Sequence, residues 1–262
     1  MNTYLDRIVL WHRARAMDDH RDAKELIRMT HDLAPTRSLS KSLTEQSGVS
    51  IIAEVKRRSP SKGELAADIS VPDQVARYVQ GGAKAISILT DEEFFSGSMD
   101  DIKLARTATE LPILRKDFTV SELDVIDARL IGADAILLIA AALSIEEVGR
   151  YSDLAHSIGL EVLLEVHDEE ELAQLDVSEA DVVGINQRDL TTFSVDTARA
   201  LKLSELIPAG LVKIAESGVS DPEQLTILSK AGFDGALIGE ALIRSKSPEE
   251  LLRAFVAAGR GF

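Results

Sequence analysis

IGADAILLIA, residues 131–140, sets a glycine, a small residue and a charge ahead of a run of apolar residues. The same outline returns in GGAKAISILT (81–90) and AGFDGALIGE (231–240), with the glycines aligned at Gly82, Gly132 and Gly232. The first interval is half the second. That suits two and then four β-α units, which makes these segments strands two, four and eight of a repeating architecture. A glycine that caps a helix before the next strand would leave the same mark in any α/β protein, so an open sheet stays in contention.

Working outward from these segments, five more apolar or β-branched runs complete a set of eight: SIIAEVK, PILRKDF, EVLLEVH, VVGINQR and LVKIAES. Stretches with helical periodicity and charged faces separate them, such as DVIDARLIG and EEVGRYSDLAHSIG. Strand and helix in alternation read as β-α units on a parallel sheet. The strand runs are apolar on both faces, as for strands covered on both sides. The glycine echo favours closure, so the expected fold class is α/β, a (β/α)8 barrel.

Residues 1–48 precede the first run. Leu5, Ile8 and Val9 share one helical face, and Leu26 and Ile27 begin another apolar stripe. Pro35 and the Ser/Thr-rich stretch after it mark a loop. The expectation is one domain over 1–262, with residues 1–48 as an N-terminal helical extension packed on the barrel. A chain of 262 residues has the usual size of such a barrel.

Composition narrows the function classes. The chain has no cysteine, which removes disulfides, thiolate-bound metals and thiol nucleophiles. A formal charge of −15 opposes a general nucleic-acid surface, which needs clustered Lys and Arg. It leaves room for a small anion held by a few local cations. No apolar run nears the ~20 residues of a membrane span. The N-terminus is broken by charges every few residues, unlike a signal peptide. The expectations are a cytoplasmic chain, with neither membrane nor nucleic acid as partner, and a monomer. The five histidines show no metal-ligand spacing, and no metal is expected.

Barrels of this kind build their active sites at the C-terminal ends of the strands. Polar residues recur at those ends. The first strand ends in Glu54 and Lys56, two apart and so on one face. The third carries Arg115, Lys116 and Asp117 before Phe118; the fifth Glu165; the sixth Asn186, Gln187 and Arg188; the seventh Glu216, Ser217 and Gly218; the eighth Gly239 and Glu240. Any one of these reads equally as a solvated rim residue or a salt-bridge partner, Lys62, Asp117 and Glu240 above all. Jointly, Glu54, Lys56, Lys116, Glu165 and Asn186 are expected to face one mouth. There, ammonium and carboxylate groups in a partly dry pocket can divide acid from base roles. The turns at Ser217-Gly218 and Ile238-Gly239-Glu240, with a short helix in ALIRS, suit a phosphate site. His167 reads as a loop residue, Asp168 to Glu171 as an N-cap and acidic first turn, and the Phe pair of DEEFF as a ligand contact, a lid or core.

Taken together, IIAEVKRRSPSKG, ILTDEEFFSGS, LPILRKDF, GADAILLIAA, LEVLLEVHDEEEL, VGINQRDLTTFSVD, IAESGV and ALIGEAL resemble, in this order, the indole-3-glycerol phosphate synthase family. They run from about residue 51 to 243. The resemblance implies the ring closure of 1-(2-carboxyphenylamino)-1-deoxyribulose 5-phosphate to an indole in tryptophan biosynthesis, with loss of carbon dioxide and water and no cofactor. It implies catalytic roles for Glu54, Lys56, Lys116, Glu165, Asn186 and Ser217. It implies substrate contacts at Ser59, Phe95, Phe118, Leu137, Arg188, Gly218, Gly239 and Glu240. Lys116 is the expected acid of ring closure, Lys56 an anion anchor tuned by Glu54, and Glu165 an acid or base. Gln187, Ala215 and Ala241 depart from the family's commoner Asn, Ser and Ser. A sugar-phosphate isomerase is the alternative enzyme, although one built on a cysteine base is excluded. A non-catalytic barrel is the other alternative, and it would be expected to lose one of Lys56, Lys116 or Glu165.

Overall fold

A computed structural model describes residues 3–60, 62–189 and 194–260. Eight parallel strands close into a barrel in chain order. They are β1 Ser50–Val55, β2 Ala85–Leu89, β3 Ile113–Lys116, β4 Ala135–Ile139, β5 Glu161–Val166, β6 Val182–Asn186, β7 Val212–Glu216 and β8 Gly235–Ile238. Closure comes from β8 pairing with β1, Ser50 against Gly235. The eight runs expected from the sequence are these strands, and the barrel, not the open sheet, is the outcome.

The period of two divides each strand between two cores. Ile51, Ala53, Val55, Ile113, Val162 and Leu164 point outward into the layer shared with the helices. Ile52, Leu114, Ala135, Leu137, Leu163, Val182, Ile214 and Leu237 fill the barrel interior. Strands buried on both faces explain why the runs lack polar alternation until their last residues.

Three helices precede β1: α1 Tyr4–Met17, α2 Ala23–Thr30 and α3 Leu39–Thr44. α1 opens with a capping box between Thr3 and Asp6, and it buries Leu5, Ile8 and His12, spaced along one face. Leu26 and Ile27 of α2 pack on the outer core. α3 plugs the N-terminal end of the barrel. Its Leu39 and Leu43 are fully buried within the interior cluster, a contribution of about 1.5–3 kcal/mol each. The Ser50 hydroxyl donates to the Leu43 carbonyl at 2.7 Å and ties α3 to β1. The other helices are α4 Val71–Gly81, α5 Glu92–Phe95, α6 Asp100–Arg106, α7 Glu122–Leu130, α8 Ile145–Ser157, α9 Glu169–Gln174, α10 Thr197–Ser204, α11 Pro222–Lys230, α12 Glu240–Arg244 and α13 Pro248–Gly259. α12 is the short extra helix expected in ALIRS. Arg58–Ser59 and Gly63–Glu64 pair as a small antiparallel ladder over the mouth after β1.

Candidate active site

With α3 closing one end, only the C-terminal end of the barrel can hold a cleft. A cavity of about 670 Å³ opens there. The interior parity that places Ile52 and Leu114 in the core carries Glu54, Lys56, Lys116, Glu165, Asn186 and Glu216 into this cavity, one or two steps further along their strands. Every residue to which the resemblance gave a role lines it: besides these, Ser59, Phe95, Phe118, Leu137, Arg188, Ser217, Gly218, Gly239 and Glu240; Arg115, Gln187 and His167 do not.

Lys116 stands at the centre. Its ammonium is 2.9 Å from Glu165 Oε2 and 3.5 Å from Glu216 Oε2. Burial opposes its charge, but Glu165, Glu216 and Glu54 outweigh burial and hold its pKa above the ordinary lysine value. The two carboxylates part ways. Burial works against Glu165 as an anion too, yet Lys116, His167 and the Asn186 amide hold its pKa well below the usual range. Asn186 Nδ2 donates to Glu165 Oε1 at 3.0 Å, and its Oδ1 accepts the Arg188 backbone N–H at 3.0 Å, so the amide has one sensible orientation. Glu216 lacks such donors, and its Oε1 is buried with no hydrogen-bond partner. Burial and the Glu165 charge push its pKa up to about 8, against the pull of Lys116. One carboxylate is thus held as an anion, while its neighbour can carry a proton near neutrality.

Glu54 and Lys56 form a second pair, Lys56 Nζ donating to Glu54 Oε1 at 2.6 Å. Two glycines make room for the buried acids. A Cβ on Gly184 would lie 2.1 Å from Glu216 Oε1, and one on Gly239 would lie 2.3 Å from Glu54 Oε1. Gly239 was expected only as part of an anion-binding turn; its bare backbone is also the seat of Glu54.

The far wall is cationic. Lys62, Arg188 and Arg244 lie 4.0, 3.9 and 3.3 Å from the Glu240 carboxylate, so Glu240 gathers three cations beside the turns after β7 and β8. Ser217 holds φ at +64°, a left-handed conformation that costs a residue with a side chain energy and that clusters at functional sites. Gln187 Nε2 donates to the Ser217 carbonyl at 2.6 Å and braces that turn.

The opposite wall is aromatic. Phe95 and Phe118 lie with ring centroids 6.1 Å apart, and His12 packs on Phe118 at 5.4 Å. Of the DEEFF pair, Phe95 faces the cavity, while Phe94 packs edge-on against Tyr4 and Trp11 of α1. Phe95 thus lines the cavity, and Phe94 is half-buried against α1 and lies outside the hydrophobic core. α1 itself supplies Tyr4, Leu5 and Ile8 to the cavity. Asp91 caps α5 and bonds His12 Nε2 at 2.7 Å, which clasps α1 to the β2–α5 turn.

Among the described residues, one group could present ligand atoms to a metal: His12, Asp91 and Asp117, within 4.8 Å of one another. Spacing gave no hint of it, because the three lie on different elements. Their carboxylate oxygens already accept from the Phe94, Phe95 and Phe118 N–H groups, Thr90, Arg115 and His12, so the group reads as a hydrogen-bond knot.

Sequence reasoning missed four things. Glu216 was noted at a strand end but left out of the converging set. Its signal was parity, two positions beyond the interior Ile214. Arg244 and the α1 residues carried no strand-end signal. His167, read as an ordinary loop residue, does follow β5, but it is buried against Glu165.

Comparisons with known proteins identify the family. A sequence model for the family described as indole-3-glycerol phosphate synthase matches residues 5–255. Relatives named indole-3-glycerol phosphate synthase include one from Bacteroides thetaiotaomicron, 45% identical over 87% of this chain and 87% of its own. Another, from Paenarthrobacter aurescens, is 43% identical over 90% of this chain and 88% of its own. Among solved structures, thiamine phosphate pyrophosphorylase from Pyrococcus furiosus superposes with a TM-score of 0.59 at 17% identity, covering 84% of this chain and 97% of that one. That last likeness is one of fold.

Proposed function

The chain belongs to the indole-3-glycerol phosphate synthase family and is a carboxy-lyase of tryptophan biosynthesis, and from that premise we propose how its side chains divide the reaction. The observation that carries the assignment is the opposed setting of Glu165 and Glu216 on either side of Lys116.

In ring closure, the aromatic carbon bearing the carboxylate attacks the ribulose carbonyl carbon. Lys116, cationic and held by two carboxylates, gives its proton to the carbonyl oxygen. Lys56, braced by Glu54, holds the anthranilate carboxylate until carbon dioxide leaves and the aromatic ring is restored. Dehydration then needs two proton transfers. Glu216, still protonated near neutral pH, donates to the departing hydroxyl, and Glu165 removes the proton from the adjacent methylene. Asn186 keeps Glu165 aimed. Phe95, Phe118 and Leu137 pack on the anthranilate ring.

The phosphate is assigned to the turns after β7 and β8. Ser217, Gly218 and Gly239 offer small groups and backbone N–H donors there, with Lys62, Arg188 and Arg244 as counter-charges. Ser59 completes the cover from the β1 side. Ser217 thus serves as an anion contact and not in proton transfer.

Among the described residues no helix is long and apolar enough to cross a membrane. The −15 charge fits an enzyme without nucleic-acid partners, and a cytoplasmic monomer is the proposed state. Sedimentation of the purified protein tests the monomer.

The decisive experiment is a fluorescence assay for indole-3-glycerol phosphate in the presence of EDTA. Product is expected at undiminished rate. A folded protein that makes none would end the assignment of the reaction to these side chains alone.

A further inference from the structure

His167 plays no part in the chemistry assigned above, yet it lies 3.3 Å behind the carboxylate that this chemistry uses as its base. Its Nε2 is 3.3 Å from Glu165 Oε1, an ion-pair contact more than a directed hydrogen bond, and its Nδ1 is 3.3 Å from Glu171 Oε2. Glu171 also accepts the His167 backbone N–H at 2.7 Å, so the side chain of this α9 residue turns back onto the end of β5. Asp168 alone takes the helix cap, accepting the Glu171 N–H at 2.9 Å. The acidic run 168–171 therefore has two jobs: one acid caps the helix, another grips the histidine.

A neutral imidazole has one donor nitrogen and one acceptor. Lying 3.3 Å from a carboxylate oxygen on each side, a neutral ring could give a proton to at most one of them and would leave the other anion facing an uncharged nitrogen. Only the doubly protonated ring suits both sides. The charged groups facing the ring are Glu165 from β5 and Glu171 from α9. The Ala140–Ala142 turn, which packs against β5, carries no titratable side chain. Lys116 and Asn186 face Glu165 from its other sides, and Glu216 lies beyond Lys116.

We propose that His167 is a positioning residue for the reaction: as an imidazolium wedged between Glu171 and Glu165, it holds Glu165 in place and in its anionic form, and so leaves the shared proton on Glu216. The proposal rests on the reading of Glu165 as the base. The raised pKa of the ring, about 10 because Glu165 and Glu171 outweigh burial, agrees with the geometry. His167 itself is absent from the cavity wall, so substrate does not touch it.

Two measurements test this. Imidazole nitrogen NMR spectra of the full chain, with the His167 signals assigned by their loss in His167→Gln, are expected to show a doubly protonated ring through pH 8. A ring that is neutral at pH 7 overturns the proposal. Independently, His167→Gln is expected to keep KM within about twofold while the acidic limb of the kcat profile moves up by about one pH unit, roughly a tenfold loss of kcat well below the limb. Glu171→Gln, which keeps the histidine but loosens its grip, is expected to move the limb by less in the same direction. A uniform loss of kcat at every pH, or an unmoved limb with a stable fold, overturns it. Failure of the base assignment reads differently: Glu165→Gln would then retain kcat, whatever the charge on His167.

Discussion

Arg115 and Lys116 are neighbours in sequence, stand on opposite faces of β3, and live in two kinds of charge cluster. On the helix side, Arg115 reaches Asp117 at 2.9 Å, the Asp124 carbonyl at 2.6 Å and Thr90 Oγ1 at 3.1 Å. Asp117 in turn accepts from Thr90 and from the Phe118 N–H. One cation meets one carboxylate, and donors meet acceptors around both. On the interior side, Lys116 faces two carboxylates, and Glu216 Oε1 has no hydrogen-bond partner. In the first cluster, charges and hydrogen bonds are matched within the protein. The second is left open on the side of the cavity, and its protons can be redistributed. Burial is nearly equal in the two; what separates structure from chemistry is whether the polar groups are all satisfied by protein.

The largest expected effect lies in the open cluster. Lys116→Met should lower kcat by about 10³-fold, with an unfolding midpoint near that of the parent, in the indole fluorescence assay and a denaturant melt. A variant within tenfold of the parent rate would remove Lys116 as the acid. Arg115→Met should do the reverse. It leaves Asp117 buried without its cation, at a cost of about 3–5 kcal/mol in denaturant unfolding, while the folded fraction keeps its kcat. Acid should find the same weak point. Asp117 is held below the ordinary carboxylate value because Arg115 outweighs burial, so its contribution is present above the unfolded pKa and is lost as pH falls through the folded one.

A subtler cut separates the two acids of the open cluster. With Glu216 near pH 8 in the free enzyme, its acidic form is lost above that pH, and kcat/KM should fall on the alkaline side. Glu216→Gln should lower the maximum by about 10²-fold and abolish that limb. An alkaline limb near pH 8 that survives in the variant would assign the ionisation elsewhere. Smallest is Gly239→Ala. Its Cβ would force the Glu54 carboxylate aside, so kcat should drop by about tenfold, roughly 1.4 kcal/mol, with substrate binding weakened in the same assay. An unchanged rate would mean that the exact seat of Glu54 does not matter to Lys56.

The barrel was legible because its signal is local and repeated. Eight apolar runs, a helix after each and an echo of glycines survive without any knowledge of contacts. Glu54, Lys56, Lys116, Glu165 and Asn186 were legible for a related reason: they break the apolar pattern of an interior face where no structural strand would. Glu216 broke the same rule, and parity with Ile214 would have found it. His167 lay beyond reach, because its partner Glu171 comes from the next helix and nothing local tells a buried imidazole from an exposed one. The contribution of α1 to the cavity was illegible too. Its apolar face announces burial without saying against what, and the His12–Asp91 bond spans 79 positions.

By itself, then, the amino-acid sequence determined the strands and which end would carry the charged groups, since side-chain parity and hydrophobic period are properties of neighbouring residues; closure was favoured by the glycine echo and decided by the pairing of β8 with β1. Only the tertiary structure shows how differently the Glu165 and Glu216 carboxylates are set. That contrast depends on distances of about 3 Å between side chains from β3, β5, β6 and β7, and on the number of donors each buried oxygen meets.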